Sequence, residues 1–397
     1  MSGTLSNIYN NISFALHLHT EALARLQEQA ATGSEINRVS DDPSTAHQVL
    51  GLNCQEKSLE NYIDNLSEVV STLEFSSTVI EDITTALVEV KVRITQVISG
   101  IYSEDARKRT AEAIDNILEH IVLLGNTKHM DQYIFGGSDT ASAPYLVERT
   151  DGKIINVSYQ GSLQDRDIEV APSIQSSAFH VGDNIFRSDS RGTPVFLGNT
   201  GAKAGTGTSS VRGDVWLDIT EPVAGTYRLS IDGGSSYVDV AVPPGSANTM
   251  VTHADTGEVL YVDTTGITST GVELVSAPGT HDIFNTLITI RNVLNNEKGL
   301  SEGQLRDLQN NLSSSLEEVH NLLVQTQVVV GSEIGFLDNL KESLKNRKYN
   351  AEDEATRLQE ADIAQIAIDL SRREVLYQMS LSVAAKLMSM SLLDFLS

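Results

Sequence analysis

From Leu59 onward, apolar residues recur on a seven-residue repeat: Leu59, Tyr62, Leu66, Val69, Leu73, Ser76, Ile80, Ile83, Leu87, Val90, Ile94 and Val97. Only Ser76 departs from the apolar or aromatic pattern. Steps of three and four residues put the whole series on one stripe of a helix. A stripe of this length must be covered by other helices. The repeat therefore demands a coiled coil or helical bundle, with a second long helix to complete it. That helix is predicted from about Ser301. It carries Leu305, Leu308, Leu312, Val319, Leu322, Val329, Phe336 and Leu340, with Leu316, Leu323, Val330, Leu337 and Leu344 in a parallel row. Two shorter helices are predicted between them. One spans 104–124 with Ile114, Ile117, Leu118, Ile121 and Leu124 inward; the other carries Ile283, Leu287, Ile290 and Leu294 and closes near Gly299.

Both chain ends are also read as helices. Over 5–32, Leu5, Ile8, Ile12, Ala15, Ala22 and Leu26 follow the three-four spacing, with Leu16 and Leu23 alongside. Gly33 suits a helix C-cap. The turn that follows ends in Ser40-Asp41-Asp42-Pro43, where one of the polar residues caps the next helix and Pro43 takes its first position. Residues 360–397 contain no Gly and no Pro. Ile363, Ile366, Leu370, Tyr377, Leu381, Ala384, Met388 and Phe395 form an apolar stripe along them. Fully helical, this segment would extend about 57 Å. Chain ends usually fray and are polar, whereas this one runs into Leu392, Leu393, Phe395 and Leu396. Such a stripe needs a partner, in the same molecule or the next.

The middle has a different character. Between residues 182 and 279 lie 15 of the 28 glycines and 5 of the 8 prolines. Short alternating runs sit among them: 215–219, 227–231, 237–242, 259–262 and 272–275. The second and third flank Asp232-Gly233-Gly234-Ser235-Ser236, a hairpin loop. Tyr133-Ile134-Phe135 reads as a strand entering the Gly136-Gly137 turn. The predicted fold class is α+β: a long antiparallel helical bundle or coiled coil formed by both chain ends, with a central β-rich insert. Three domains are expected. Residues 1–42 with 360–397 form a terminal coiled-coil assembly domain, disordered in the monomer. Residues 43–186 with 282–359 form a helical bundle with a small β portion. Residues 187–281 form a β-rich outer insert.

A formal charge of −25 disfavours nucleic acid and anionic membranes as partners and leaves self-association to specific apolar seams. The single cysteine, Cys54, permits no intramolecular disulfide and reads as a small buried hydrophobe on a helix. No apolar run reaches membrane-spanning length, so no membrane insertion is expected. The first twenty residues lack the features of a cleaved signal, so the chain is expected to be cytoplasmic or exported without one. Motifs for chemistry are missing: no P-loop, no zinc-protease helix, no nucleophile elbow, no calcium loop. His17 and His19 lie about 200° apart on a helix, unsuited to a shared metal. Arg212-Gly213-Asp214 reads as a turn, and Asp41-Asp42 as capping residues. No catalytic, cofactor-binding or metal residue and no cofactor is assigned. An enzyme is not expected, a coiled-coil binding module or enzyme being the remote alternative.

A set of motifs, in order, has a family likeness. It comprises residues 26–43 (LQEQAATGSEINRVSDDP), Asn126-Thr127, Tyr133-Ile134-Phe135-Gly136-Gly137, Pro144-Tyr145, Tyr159-Gln160-Gly161 and residues 181–186 (VGDNIF). The far end adds Val330-Gly331-Ser332, Glu360-Ala361-Asp362-Ile363-Ala364 and residues 391–396 (SLLDFL). Over about 1–186 and 282–397 the chain resembles the bacterial flagellin superfamily. Pro43 after the two aspartates and the SLLDFL ending are similar to its hook-filament junction branch rather than to the filament subunits themselves. The resemblance implies an extracellular structural subunit of the flagellum, exported unfolded by the type III route after a transient cytoplasmic stage. It implies a homo-oligomeric ring between the other hook-associated junction protein and the flagellin filament. A filament cap protein would fold it at the tip, and an export chaperone would hold the C-terminal helix beforehand. The alternative is flagellin, the filament subunit. The assembly interface is expected on Leu5, Ile8, Ile12, Leu16, Leu23, Leu26, Ile363, Ile366, Leu370, Tyr377, Leu381, Ala384, Met388 and Phe395.

Overall fold

The computed structural model describes residues 2–99 and 103–396, with side chains over 10–97 and 103–386. Three helices open the chain: α1 (Ser2–Thr32), α2 (Pro43–Ser99) and α3 (Glu104–Gly125). Three hairpins follow: β1 (Lys128–His129) with β2 (Gln132–Tyr133), β3 (Tyr145–Thr150) with β4 (Lys153–Tyr159), and β5 (Arg166–Ala171) with β6 (Ile174–Phe179). After the single turn α4 (Gly182–Phe186) come β7 (Val195–Leu197), β8 (Lys203–Ala204), β9 (Gly213–Val223), β10 (Thr226–Ser230), β11 (Val238–Ala241), β12 (Thr249–Thr252), β13 (Val259–Asp263) and β14 (Gly271–Ala277). The chain returns to helix in α5 (Ile283–Asn295), α6 (Glu302–Gln359) and α7 (Ile363–Leu396). It divides into two compact units, Met1–Asp64 with Leu340–Ser397, and Asn65–Asn339. The architecture is the expected α+β one, with long helices at both ends and strands between.

In the second unit the heptad stripe of α2 is buried from Leu66 to Val97. Ser76 is tolerated because its hydroxyl donates to the Thr72 carbonyl at 2.9 Å within the helix, leaving no unpaired donor in the seam. Ile114, Leu118 and Ile121 of α3, Leu287 and Ile290 of α5, and Leu305, Leu312 and Leu316 of α6 complete one continuous core with it. Burial in such a core supplies the main stabilisation, about 25 cal/mol per Å² of apolar surface removed from water. Charged groups also meet in this core. Arg291, 3 % exposed, donates to Asp115 across α5 and α3 at 2.6 Å.

The two rows expected on α6 have different fates. Where α3 and α5 flank the helix, both are covered. Beyond Leu323 the heptad row Val330, Leu337 and Leu344 stays buried, while Val328, Val329 and Phe336 are exposed. A helix with one neighbour buries one seam; a helix in a four-helix bundle buries a wider face. The expectation for Val329 and Phe336 is corrected on that ground.

The strands extend beyond the sequence reading. β9, β10, β11, β13 and β14 fall on the alternating runs, and the loop from Asp232 joins β10 to β11 as a hairpin. Two sheets result, ordered β11-β10-β9-β14-β7 and β12-β13-β8. They enclose a second core that includes Leu217, Ile219, Leu229, Val251, Leu260 and Val262. Alternation gives the larger sheet a second apolar side: Leu274 joins the helical core, with Trp216 and Leu197 packed against it. Ile134 and Phe135, expected in a strand, instead follow β2 in a turn and are fully buried. The β3–β4 and β5–β6 hairpins carried no clear sequence signal. Their outward positions are exposed and charged, as at Glu148, Arg149, Arg166 and Asp167.

Leu87, 1 % exposed at the centre of the heptad stripe, makes the bundle testable. Leu87→Ala is expected to lower the stability of the unit by about 2–5 kcal/mol, measured as a lower midpoint of urea unfolding followed by far-ultraviolet circular dichroism.

Candidate assembly interface

Within the first unit the two chain ends lie side by side. α1 and α7 pack together, and their antiparallel sense is set where α1 ends and α7 begins. Ser34 and Glu360 form an antiparallel bridge, with Glu35 N–H donating to the Gln359 carbonyl at 2.7 Å and Ala361 N–H to the Gly33 carbonyl at 3.0 Å. Gly33 adopts φ +71° there, a left-handed C-cap conformation that favours glycine. Gln29, 5 % exposed, donates through Nε2 to the Glu35 carbonyl at 2.6 Å and pins the returning chain.

The two adjacent acids in the turn take separate tasks. Asp41 Oδ2 accepts from the N–H groups of Arg38 at 2.9 Å and Asn37 at 3.3 Å. Asp42 Oδ1 accepts from Ser44 N–H at 3.0 Å and Thr45 N–H at 3.2 Å, and so caps α2. Hydrogen bonds from the Thr45 hydroxyl and backbone lower the Asp42 carboxyl below its usual range. Asp362 repeats the device on α7, accepting from Ala364 N–H at 3.0 Å and Gln365 N–H at 3.1 Å. Each cap satisfies backbone donors that the helix itself cannot. Between the start of α2 and the end of α6, Lys348 reaches Glu60 at 3.2 Å and Glu56 at 3.9 Å. Bonds from Lys57 and Lys348 hold Glu60 below its usual pKa.

The expected interface residues divide by exposure. Ile366 and Ala384 are buried, and Leu370 and Tyr377 on α7 are half-buried, as are Ile12, Leu16, Leu23 and Leu26 on α1. Ile363 and Leu381 are 50 % and 43 % exposed. The side chains of Leu5, Ile8, Met388 and Phe395 lie outside the described residues. A further set escaped the single-stripe reading: Phe14 and Leu18 on α1, and Ile368, Val375, Leu376, Met379 and Val383 on α7, all exposed. α7 is apolar on more than one side, and one stripe is all that a single antiparallel neighbour covers. The signal was present in the sequence as apolar residues that break the three-four spacing.

A second apolar feature lies at the α1–α2 turn. A groove of about 360 Å³ is lined by Ile36, Val39, Pro43, Ala46 and Leu50, with Arg38 and His47 among its polar residues and no carboxylate. Val39 is 72 % and Leu50 62 % exposed.

The turn expected at Arg212-Gly213-Asp214 is corrected: Gly213 and Asp214 open β9, paired with Ala277 and Ser276 of β14, and the Asp214 side chain, 2 % exposed, pairs with His281. Cys54 is exposed on α2 rather than buried, which corrects its reading as a core residue. Among the described residues no group of three or more His, Cys, Asp or Glu side chains is placed to hold a metal, and no helix is long and apolar enough to cross a membrane.

Comparison with known proteins gives these features a setting. Residues 6–140 match the bacterial flagellin N-terminal helical region. Flagellar hook-associated protein 3 of Escherichia coli (strain K12) is 28 % identical over 162 residues, 41 % of this chain and 49 % of that protein. The chain thus matches about half the length of this curated relative. The crystal structure of flagellar hook associated protein-3 from Legionella pneumophila superposes with a TM-score of 0.53 at 16 % identity, covering 77 % of this chain and 98 % of that one. That of FlgL from Xanthomonas campestris gives 0.51 at 20 %, covering 76 % and 98 %. The chain carries a flagellin-type N-terminal helical region, and in both sequence and fold it is similar to flagellar hook-associated protein 3.

Proposed function

We propose that this chain is a structural subunit of the bacterial flagellum that joins the hook to the flagellin filament. The observation that carries the reading is the pairing of a flagellin-type N-terminal region with a C-terminal helix whose second apolar side has no cover in the monomer. Phe14 and Leu18 on α1 and Ile363, Ile368, Val375, Leu376, Met379, Leu381 and Val383 on α7 are exposed, and each Leu- or Met-sized side chain buried contributes about 1.5–3 kcal/mol. Such surface on a chain of charge −25 favours burial against specific neighbours over indiscriminate association.

In this reading the protein forms a ring of identical subunits outside the cell after type III export. It contacts the other hook-associated junction protein on one side and flagellin on the other, a cap protein assists its folding, and an export chaperone covers α7 in the cytoplasm. Residues 1–42 with 360–397 act as the assembly domain, 43–186 with 282–359 as the bundle, and 187–281 as the outer insert. The seam comprises Ile12, Leu16, Leu23, Leu26, Ile363, Ile366, Leu370, Tyr377, Leu381 and Ala384, with Leu5, Ile8, Met388 and Phe395 continuing it. Flagellin is the second reading, because a flagellin N-terminal region belongs to filament subunits too. Adding purified protein to filament seeds separates the two. A self-limiting layer supports the junction role; long filaments support flagellin.

Two outcomes follow for the chain ends. Long helices paired only with each other are marginal in water, so amides across 363–386 are expected to exchange within seconds in the free monomer and to gain protection on assembly. Uniform protection in the monomer, by hydrogen-exchange mass spectrometry, would contradict the seam. Val375→Asp and Leu381→Asp replace exposed positions. Each is expected to leave the urea midpoint of the 65–339 unit unchanged while reducing incorporation onto hook ends at least tenfold in a sedimentation assay. Unfolding of that unit by either change would show that the stripe is an ordinary core.

A further inference from the structure

The chain enters and leaves the β insert through two antiparallel segments. Arg187 and Asp282 form an antiparallel bridge. Ser188 N–H donates to the His281 carbonyl at 2.9 Å, Ser190 N–H to the Gly279 carbonyl at 2.7 Å, and Gly192 N–H to the Pro278 carbonyl at 2.7 Å. The crossings are thus zipped into a neck. Gly279 sits at φ +76° with its Cα against the Ser190 carbonyl, where a Cβ would fall 1.7 Å from that oxygen. Only glycine permits this approach.

The imidazole of His281, 2 % exposed, lies at the root of the neck. Its Nδ1 is 3.1 Å from Glu318 Oε2 on α6, and its Nε2 is 3.2 Å from Asp214 Oδ1 on β9 and 3.1 Å from Ser276 Oγ on β14. Glu318 Oε2 also accepts from Gly279 N–H at 2.9 Å. On the other side, Gly213 N–H donates to Thr280 Oγ1 at 2.9 Å. A neutral imidazole has one N–H and would turn a lone pair toward one of the two carboxylates. An imidazolium donates to both. We propose that His281 works as a cationic lock: its imidazolium ties the root of the β insert to α6 and to the first residues of β9, and the neck loosens when the ring loses its proton.

The charged groups around the lock are few. Glu318 faces it from α6 and Asp214 from β9; Asp282 follows it in the chain and Arg187 stands across the neck from Asp282. Burial alone would lower the His281 pKa, but the hydrogen bonds and charges of Asp214 and Glu318 override it and raise it to about 9, from an ordinary 6.5. A folded value above the unfolded one means that the stabilisation is complete below about pH 6.5 and is lost as pH rises through about 9. Burial works against ionisation of Glu318 as well, yet its bonds from His281 and Gly279 hold it below the usual carboxylate range. Its share is therefore present above the ordinary carboxylate pKa and lost as pH falls through the lowered one. Burial raises Asp282, so its carboxylate opposes the folded state once ionised and adds nothing to the loss at alkaline pH. The lock is engaged at neutral pH and opens on the alkaline side.

The test uses the full chain. Proton NMR of the imidazole ring follows His281, assigned by comparison with His281→Gln. Hydrogen exchange at the Ser188, Ser190, Gly192 and Gly279 amides, corrected for the intrinsic pH dependence, follows the neck. The expected result is a ring titrating near pH 9, with neck protection falling at least tenfold across the same midpoint and bundle amides unaffected. Glu318→Gln keeps the shape and removes one charge; it is expected to move the midpoint down by at least one pH unit. His281→Gln is expected to leave the neck open at all pH values. If that variant does not fold, the wild-type and Glu318→Gln titrations decide. A His281 midpoint at or below 6.5, or neck protection that does not change across the titration, overturns the lock.

Discussion

The unbroken heptad seam of α2 is the constraint on which the rest depends. A helix of 57 residues has no stability of its own in water to match its length; it persists because Leu66, Leu73, Ile80, Leu87 and Ile94 are sealed by neighbouring helices. The one polar member, Ser76, returns its hydroxyl to its own helix, so the seam stays dry without needing a partner for it. Once α2 and α6 are held side by side in the 65–339 unit, the connection between them has to begin and end on the same bundle. α3 and α5 supply that connection on the helical side, and everything from β1 to β14 is carried between them.

This arrangement explains how an insert of short strands can be ordered. Its larger sheet has one apolar side on the sandwich core and another, through Leu274, Trp216 and Leu197, on the bundle. The insert is thus packed on its support, rather than tethered to it. The neck of paired segments and the buried His281 cluster stand at the point of attachment. There, a charge buried between two carboxylates adds direction to a contact that apolar packing alone leaves slippery. A buried ion pair of this kind contributes to specificity of arrangement more than to net stability.

The chain ends behave differently from the bundle. α1 and α7 have each other, and little else in the monomer. Apolar residues at Ile368, Val375, Met379 and Val383 remain in solvent, and so does the acid-free groove at the α1–α2 turn. The tie between Gln29 and Glu35 at the end of α1, the Asp42 cap that opens α2 and the Asp362 cap that opens α7 set where these segments turn and start. They leave the outer faces free. In the proposed assembly, those faces supply the contacts between subunits, while the bundle supplies a rigid support.

Local pattern by itself determined the helices, their order, the Gly33 and Pro43 punctuation and the β character of the middle. Those features rest on spacing, capping and turn chemistry, which act over a few residues. The motifs at both ends sufficed for the family likeness. What surrounds each stripe is a long-range matter, and only the tertiary structure decided it. Val329 and Phe336 obey the same helical spacing as Leu308 and Leu312, yet are exposed because no α3 or α5 reaches them. The α7 stripe divides into covered and bare residues because one helix can cover only one side. His281 gave no signal, since Asp214 and Glu318, the groups that charge it, lie 67 and 37 residues away in the chain and meet it only when the insert is seated.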